Sequence, residues 1–348
     1  MKTKIHPACV LVPLFLCTGV QASPEVTVSG HINRAILALD DGEGAETYFV
    51  DNKNSASRFR IVASDRIHDG LRAGARFEMG YESNPSSSIS RTRPSVSAEL
   101  KERRAELFIS GGFGAVYLGQ GDGAANGLTH VDLSGTNMVS LLGHAHLMGG
   151  SFTFFEQGNA GPTLSDVMAN FDFESRYDRI AYHSTGPGPL TLRASVGRKD
   201  DMVYEASALY SARADFAKVS VGVGYSSEKV PGADDNETLG GSASVLLDNG
   251  LNGAISYSRL DTDASRSATN TTFRLGYRAG KHASSVDYGI TDDLNRRGDR
   301  ATYVGANYVY KPLDWLEVFG AVRRFELDRR HASYDDMAMV VTGSRIKF

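Results

Sequence analysis

The chain has 348 residues, with 37 Lys and Arg against 41 Asp and Glu and a formal charge of −4. That acidic balance argues against nucleic acid as a partner. Both cysteines, Cys9 and Cys17, lie in the first 22 residues, so the remainder has neither a disulfide framework nor thiol chemistry, and nothing after residue 22 approaches the roughly 20 apolar residues of a spanning helix.

The opening stretch MKTKIHPACVLVPLFLCTGVQA (1–22) reads as a signal peptide. Lys2 and Lys4 form a basic n-region, Cys9 to Val20 form an apolar core, and Val20-Gln21-Ala22 is an acceptable cleavage site. The apolar core is too short to anchor the chain, and Leu16 before Cys17 disfavours a lipoprotein. The expected mature chain, 23–348, is a single domain with a charge near −6 once Lys2 and Lys4 are gone.

From there on helical periodicity is nearly absent and period-two alternation recurs to the end. Sixteen segments carry it, near 25–39, 56–65, 71–82, 102–110, 114–120, 176–184, 189–197, 202–212, 216–227, 237–247, 251–259, 268–279, 282–290, 299–310, 314–326 and 337–348. In LRAGARFEMGYES, Leu71, Ala73, Ala75, Phe77, Met79 and Tyr81 share one face, opposite Arg72, Gly74, Arg76, Glu78, Gly80 and Glu82. Short turns such as HDG (68–70), GGFG (111–114) and DNG (248–250) alternate with connections that are mostly longer and acidic, the longest being 121–175.

A soluble sandwich would turn the apolar faces into a core. A membrane barrel inverts them, with apolar residues toward lipid and polar ones toward a lumen. The polar faces are rich in Arg, Glu, Gly and Ser, which suits a wet lumen. Aromatics gather at strand ends, Tyr81, Tyr225, Tyr257 and Tyr288 on one side and Tyr182, Tyr277, Tyr310, Trp315 and Phe348 on the other, as two interfacial girdles would. Lipid leaves no water for an open strand edge, so the sheet must close. The terminal MVVTGSRIKF must therefore pair with the first strand, VTVSGHINRAILAL. On its parity Arg34 faces lipid, and shelter by a bulge or a subunit interface is expected.

The motifs VTVSGHINRAI, SASRFRI, RRAELFISGGFGAVYLGQ and ESRYDRIAYHS, with the terminal Phe348, resemble the Gram-negative trimeric porins in order and spacing. The resemblance implies an all-β, 16-stranded antiparallel transmembrane β-barrel with a long inward-folded third loop, here 121–175, that narrows the pore. It also implies an outer-membrane homotrimer in contact with lipid and lipopolysaccharide. Ile346 and Phe348 would be the signal read by the barrel assembly machinery. The family sets loop carboxylates against a ladder of arginines. Arg58 and Arg176 match ladder positions, Asp122 and Asp132 are the candidate carboxylates, and Gln120 stands where the fifth strand usually ends in arginine.

Strand parity places Arg60, Arg76, Arg104 and Arg179 on the lumen face as well. Inward bases (Arg58, Arg60, Arg72, Arg76, Arg104, Arg179, Arg193, Lys218, Arg274, Arg278, Arg323, Arg345, Lys347) outnumber inward acids (Glu78, Glu82, Glu106, Glu205, Asp287, Glu317). A narrow pore so lined enriches anions. Catalysis and cofactors are not expected: no G-x-S-x-G elbow occurs, and GQGDGAANG lacks the Lys-Ser/Thr of a phosphate loop. The pair His144 and His146 has no neighbouring acid or Cys in the sequence to complete a metal site, and none is assigned. The acidic tips 40–46, 233–237, 261–263 and 334–336 lack EF-hand spacing. The expected function is a passive pore for small hydrophilic solutes with a weak anion preference. The alternatives are a solute-specific porin using 121–175, or a plugged structural or adhesive barrel.

Overall fold

The alternation becomes strand almost throughout the computed structural model, which describes residues 24–348 except 187, 233 and 264–265; the expected signal peptide lies outside the described residues. In chain order the strands are β1 (Glu25–Asp40), β2 (Ala45–Asp51), β3 (Arg58–His68), β4 (Leu71–Glu82), β5 (Glu99–Gly111), β6 (Gly114–Asp122), β7 (Thr153–Glu156), β8 (Asn159–Thr163), β9 (Arg176–His183) and β10 (Leu190–Arg198). They continue as β11 (Met202–Arg213), β12 (Ala217–Glu228), β13 (Asn236–Leu247), β14 (Leu251–Asp263), β15 (Arg266–Ala279), β16 (His282–Asp292), β17 (Arg300–Leu313), β18 (Leu316–Arg329), β19 (Ala332–Ser333) and β20 (Met337–Lys347).

Each main strand pairs antiparallel with the next, and β20 pairs with both β18 and β1, from His31–Lys347 to Asp40–Ala338. The sheet is therefore a closed, 16-stranded antiparallel barrel, as the sequence required. The second position is shared: β2 pairs with the upper half of β1, and β3 with its lower half. The sequence did not reveal β2, which occupies part of what reads as a long loop. Turn chemistry sets one rim. In DNG, Gly250 sits at φ +93° and Asn249 Oδ1 accepts from the Leu251 amide, a conformation that favours glycine.

The lipid-facing set is the expected one: Phe77, Tyr81, Val223, Tyr225, Ile255, Tyr257, Phe273, Leu275, Tyr277, Val304 and Val340 are all exposed on the isolated barrel. Arg34 keeps its outward parity. Its guanidinium is held within the chain: Nη1 donates to the Ser83 carbonyl at 2.6 Å, from the segment that follows β4.

The interior departs from the simple alternation. Leu37, Leu39, Tyr48, Val50, Phe319, Phe325, Met337, Met339 and Val341 point inward and are buried against Met148, Phe152, Phe154, Leu164, Val167 and Met168. The last six belong to 123–175, which folds inside the barrel and carries the β7–β8 hairpin and a one-turn helix, α1 (Leu164–Val167). A dry core thus occupies one side of the lumen. Its sequence signal is the unbroken apolar run AILAL (35–39), since a strand covered on both faces loses its alternation.

Candidate functional site

One lumen wall is built from arginines projecting from β3, β4, β5 and β9. Glu78, almost fully buried, accepts from Arg60 Nε at 2.7 Å and from Arg103 Nε at 2.6 Å, with Arg58 Nη1 at 3.7 Å. Glu106 takes Arg76 Nη1 at 2.8 Å and Arg179 Nη2 at 2.6 Å. Asp122 bonds Arg104 and lies 2.9 Å from Arg176 Nε. Seven arginines share three carboxylates, which leaves this wall positive.

Arg103 is the residue that parity misses. Opposite β4, the register slips between Glu78 (facing Arg104) and Met79 (facing Glu102). The extra residue in β5 is Arg103, and the bulge turns it inward onto Glu78, as bulges do when they re-aim a side chain. Gln120 pairs across the ladder with Ala105 and Asp178.

The opposite wall is covered by the inward-folded segment, and the inward serines that read as wet lumen hold it in place. Ser242 Oγ accepts from Val131 N and donates to Leu128 O; Ser244 accepts from Leu133 N, and Ser256 donates to Thr129 O. At the centre Arg274, fully buried, binds Asp287 through Nε at 2.6 Å and Asp132 through Nη1 at 3.0 Å, and reaches Ser140 O at 2.7 Å. Arg323 donates to Val139 O and Ala145 O. Asp132, a candidate constriction carboxylate, is therefore an anchor under the segment and does not stand with the arginines. The other acids of the segment are also engaged away from them: Glu174 with Lys199, Asp166 with the Thr163 amide, Glu156 with the Ser333 amide. Asp122 alone of the two candidates joins the arginine wall.

Within the segment, His130, His144 and Asp172 converge. His130 Nδ1 lies 3.3 Å from Asp172 Oδ2. Burial disfavours a charged His130, but the Asp172 carboxylate outweighs it and the pKa is raised. Burial also opposes ionisation of Asp172, yet His130 brings its pKa down to about 2. Burial and then the neighbouring His130 charge push His144 well below the ordinary histidine range, while burial and Arg323 bring His146 to about 4.

At the chain end Phe348 completes β20's junction with β1, and Ile346 pairs with Ile32 and Leu316.

Among solved structures the barrel is similar to an anion-selective porin from Comamonas acidovorans, with TM-score 0.67 and 15% identity over 93% of this chain and 99% of that one. It is also similar to OmpT of Vibrio cholerae in a trimer form, with TM-score 0.62 and 15% identity over 94% and 100%. A mutant porin of Rhodopseudomonas blastica matches with TM-score 0.58 and 17% identity over 93% and 100%. At such identities the likeness is one of fold. No curated protein matches in sequence. The profile of the Gram-negative porins matches residues 8–330. With that span and a closed 16-stranded barrel, the chain belongs to the Gram-negative porin family and resides in the outer membrane.

Proposed function

We propose that the protein is a passive pore for small hydrophilic solutes and ions with a weak preference for anions. The observation that carries this reading is the surplus of positive charge on the wall of Arg58, Arg60, Arg76, Arg103, Arg104, Arg176 and Arg179 over Glu78, Glu106 and Asp122. Low-dielectric walls focus such a field and concentrate counter-ions. The inward segment's acids are spent on anchoring, so little negative charge opposes the arginines. A porin of this fold is described as anion-selective, which agrees with the reading.

The working assembly in this proposal is a homotrimer of residues 23–348 after removal of 1–22. It is inserted by the barrel assembly machinery through Ile346 and Phe348, with its acidic rim toward lipopolysaccharide. Part of that rim is already neutralised within the chain, where Arg91 holds Asp41 and Glu46.

Planar-bilayer recordings of the refolded protein under a salt gradient test the function. Current steps in threes with a modest anion-side reversal potential are expected; a cation-side potential would overturn the preference. The dry interior core favours one second reading, a plugged barrel, and a folded but silent protein would select it.

A further inference from the structure

His130, His144 and Asp172 have no part in the pore reading above. They lie far apart in sequence and meet only because both limbs of the inward segment run side by side. One ligand atom from each lies within 4.8 Å of the others. The His130 and His144 rings meet edge to face with centroids 5.2 Å apart.

His130 Nδ1 lies 3.3 Å from Asp172 Oδ2 without the alignment of a hydrogen bond, and among the described residues His144 Nε2 has no partner; both atoms are buried, as is the unpaired Nδ1 of neighbouring His146. Buried polar atoms are normally paired, and an orphan marks strain or a missing ligand. A His130–Asp172 ion pair would account for two of the three residues and would leave His144 unexplained.

The carboxylate is also held from behind. Asp172 Oδ2 accepts from the Gly127 amide at 2.9 Å, and Oδ1 accepts from Thr129 Oγ1 at 2.6 Å and from its amide at 3.2 Å. Outer hydrogen bonds of this kind orient metal-binding carboxylates. The backbone beside it is pinned to the wall, since Thr129 O accepts from Ser256 Oγ at 2.5 Å. The three side chains are thus set before any ligand arrives.

We propose that His130, His144 and Asp172 bind a divalent transition-metal ion of the Zn²⁺ type, which staples the two limbs of the inward segment. Two imidazoles and one carboxylate form a nitrogen–oxygen set that suits Zn²⁺ and leaves coordination for water. Ca²⁺ and Mg²⁺ take oxygen ligands, and Ca²⁺ takes more of them. Ligation satisfies the orphan nitrogens of His130 and His144. His146, with its ring 5.9 Å from that of His144, stands outside the group and serves as the internal control.

The test uses untagged, refolded protein in detergent, stripped with chelator and titrated with Zn²⁺ by calorimetry and with Co²⁺ by visible absorption. One ion per barrel is expected, with ligand-field bands from Co²⁺. His130→Ala and His144→Ala should each weaken binding by at least about tenfold while the sheet spectrum is kept, and His146→Ala should bind as wild type. No saturable binding, or binding that survives both substitutions, overturns the site. Single-channel recording with Zn²⁺ separates this proposal from the pore reading, on which only its effect on current rests. A protein that binds Zn²⁺ yet never conducts keeps the site and loses the pore; one that conducts and ignores Zn²⁺ in both titrations loses the site alone.

Discussion

Gly30 and Phe348 are joined by two reciprocal main-chain hydrogen bonds, Gly30 N to Phe348 O at 2.8 Å and Phe348 N to Gly30 O at 3.0 Å. A side chain on Gly30 would meet the Phe348 ring at 2.8 Å and the Arg58 carbonyl at 2.6 Å. The last residue is thus the final rung of the barrel seam.

Deleting Phe348 removes both bonds, at roughly 1 kcal/mol each. Phe348→Ala keeps them and loses only the ring. The deletion should lower the urea midpoint of the folded barrel by more than Phe348→Ala does. Equal loss would mean that the ring, and not the rung, holds the seam.

Glu78→Gln leaves Arg58, Arg60 and Arg103 around a neutral group. Glu78 is buried but its arginines are partly exposed and solvent-screened, so denaturant resistance should fall only modestly. The reversal potential should move further to the anion side. Arg60→Gln and Arg103→Gln should each move it the other way, and an Arg103 variant without effect would mean that the bulge does not bring charge to the pore.

Asp287→Asn weakens the hold on Arg274 and hence on Asp132 and the inward segment. Open-channel noise and protease cleavage within 123–175 should both increase, and the sheet spectrum should be unchanged. Unaltered cleavage would place the anchoring elsewhere, on the serines of β13 and β14.

Phe152 packs edge to face on Tyr48 with ring centroids 5.3 Å apart, inside the dry core. Phe152→Ala should cost roughly 3–5 kcal/mol as a large-to-small change. It should also loosen the inward segment, read as a lower urea midpoint and faster protease cleavage within 123–175; an unchanged midpoint would mean that this core does not brace the barrel.

Strand number, closure and outward faces were legible because a half-buried strand must alternate, and a sheet in lipid must close. The arginine wall was legible for the same reason, wherever parity ran unbroken. Arg103 escaped because a single inserted residue reverses parity, and nothing in KERRAEL marks the insertion. Asp132 was misplaced because an acid in an aperiodic stretch carries no sign of whether it meets a lumen or a buried arginine. His130 and Asp172 were invisible as companions of His144, since their meeting depends on the path of the segment between them. The dry core did leave a trace in AILAL, a run without polar gaps.

The two sides of the lumen differ mechanically. Where β1, β17, β18 and β20 rest on Phe152, Phe154 and Met148, the wall is braced from within by close-packed side chains, which compress little. The arginine side is held instead by ion pairs between neighbouring strands, Arg60 with Glu78 and Arg76 with Glu106. Lateral pressure from a stiffer membrane is therefore expected to deform the barrel on the arginine side before the braced side.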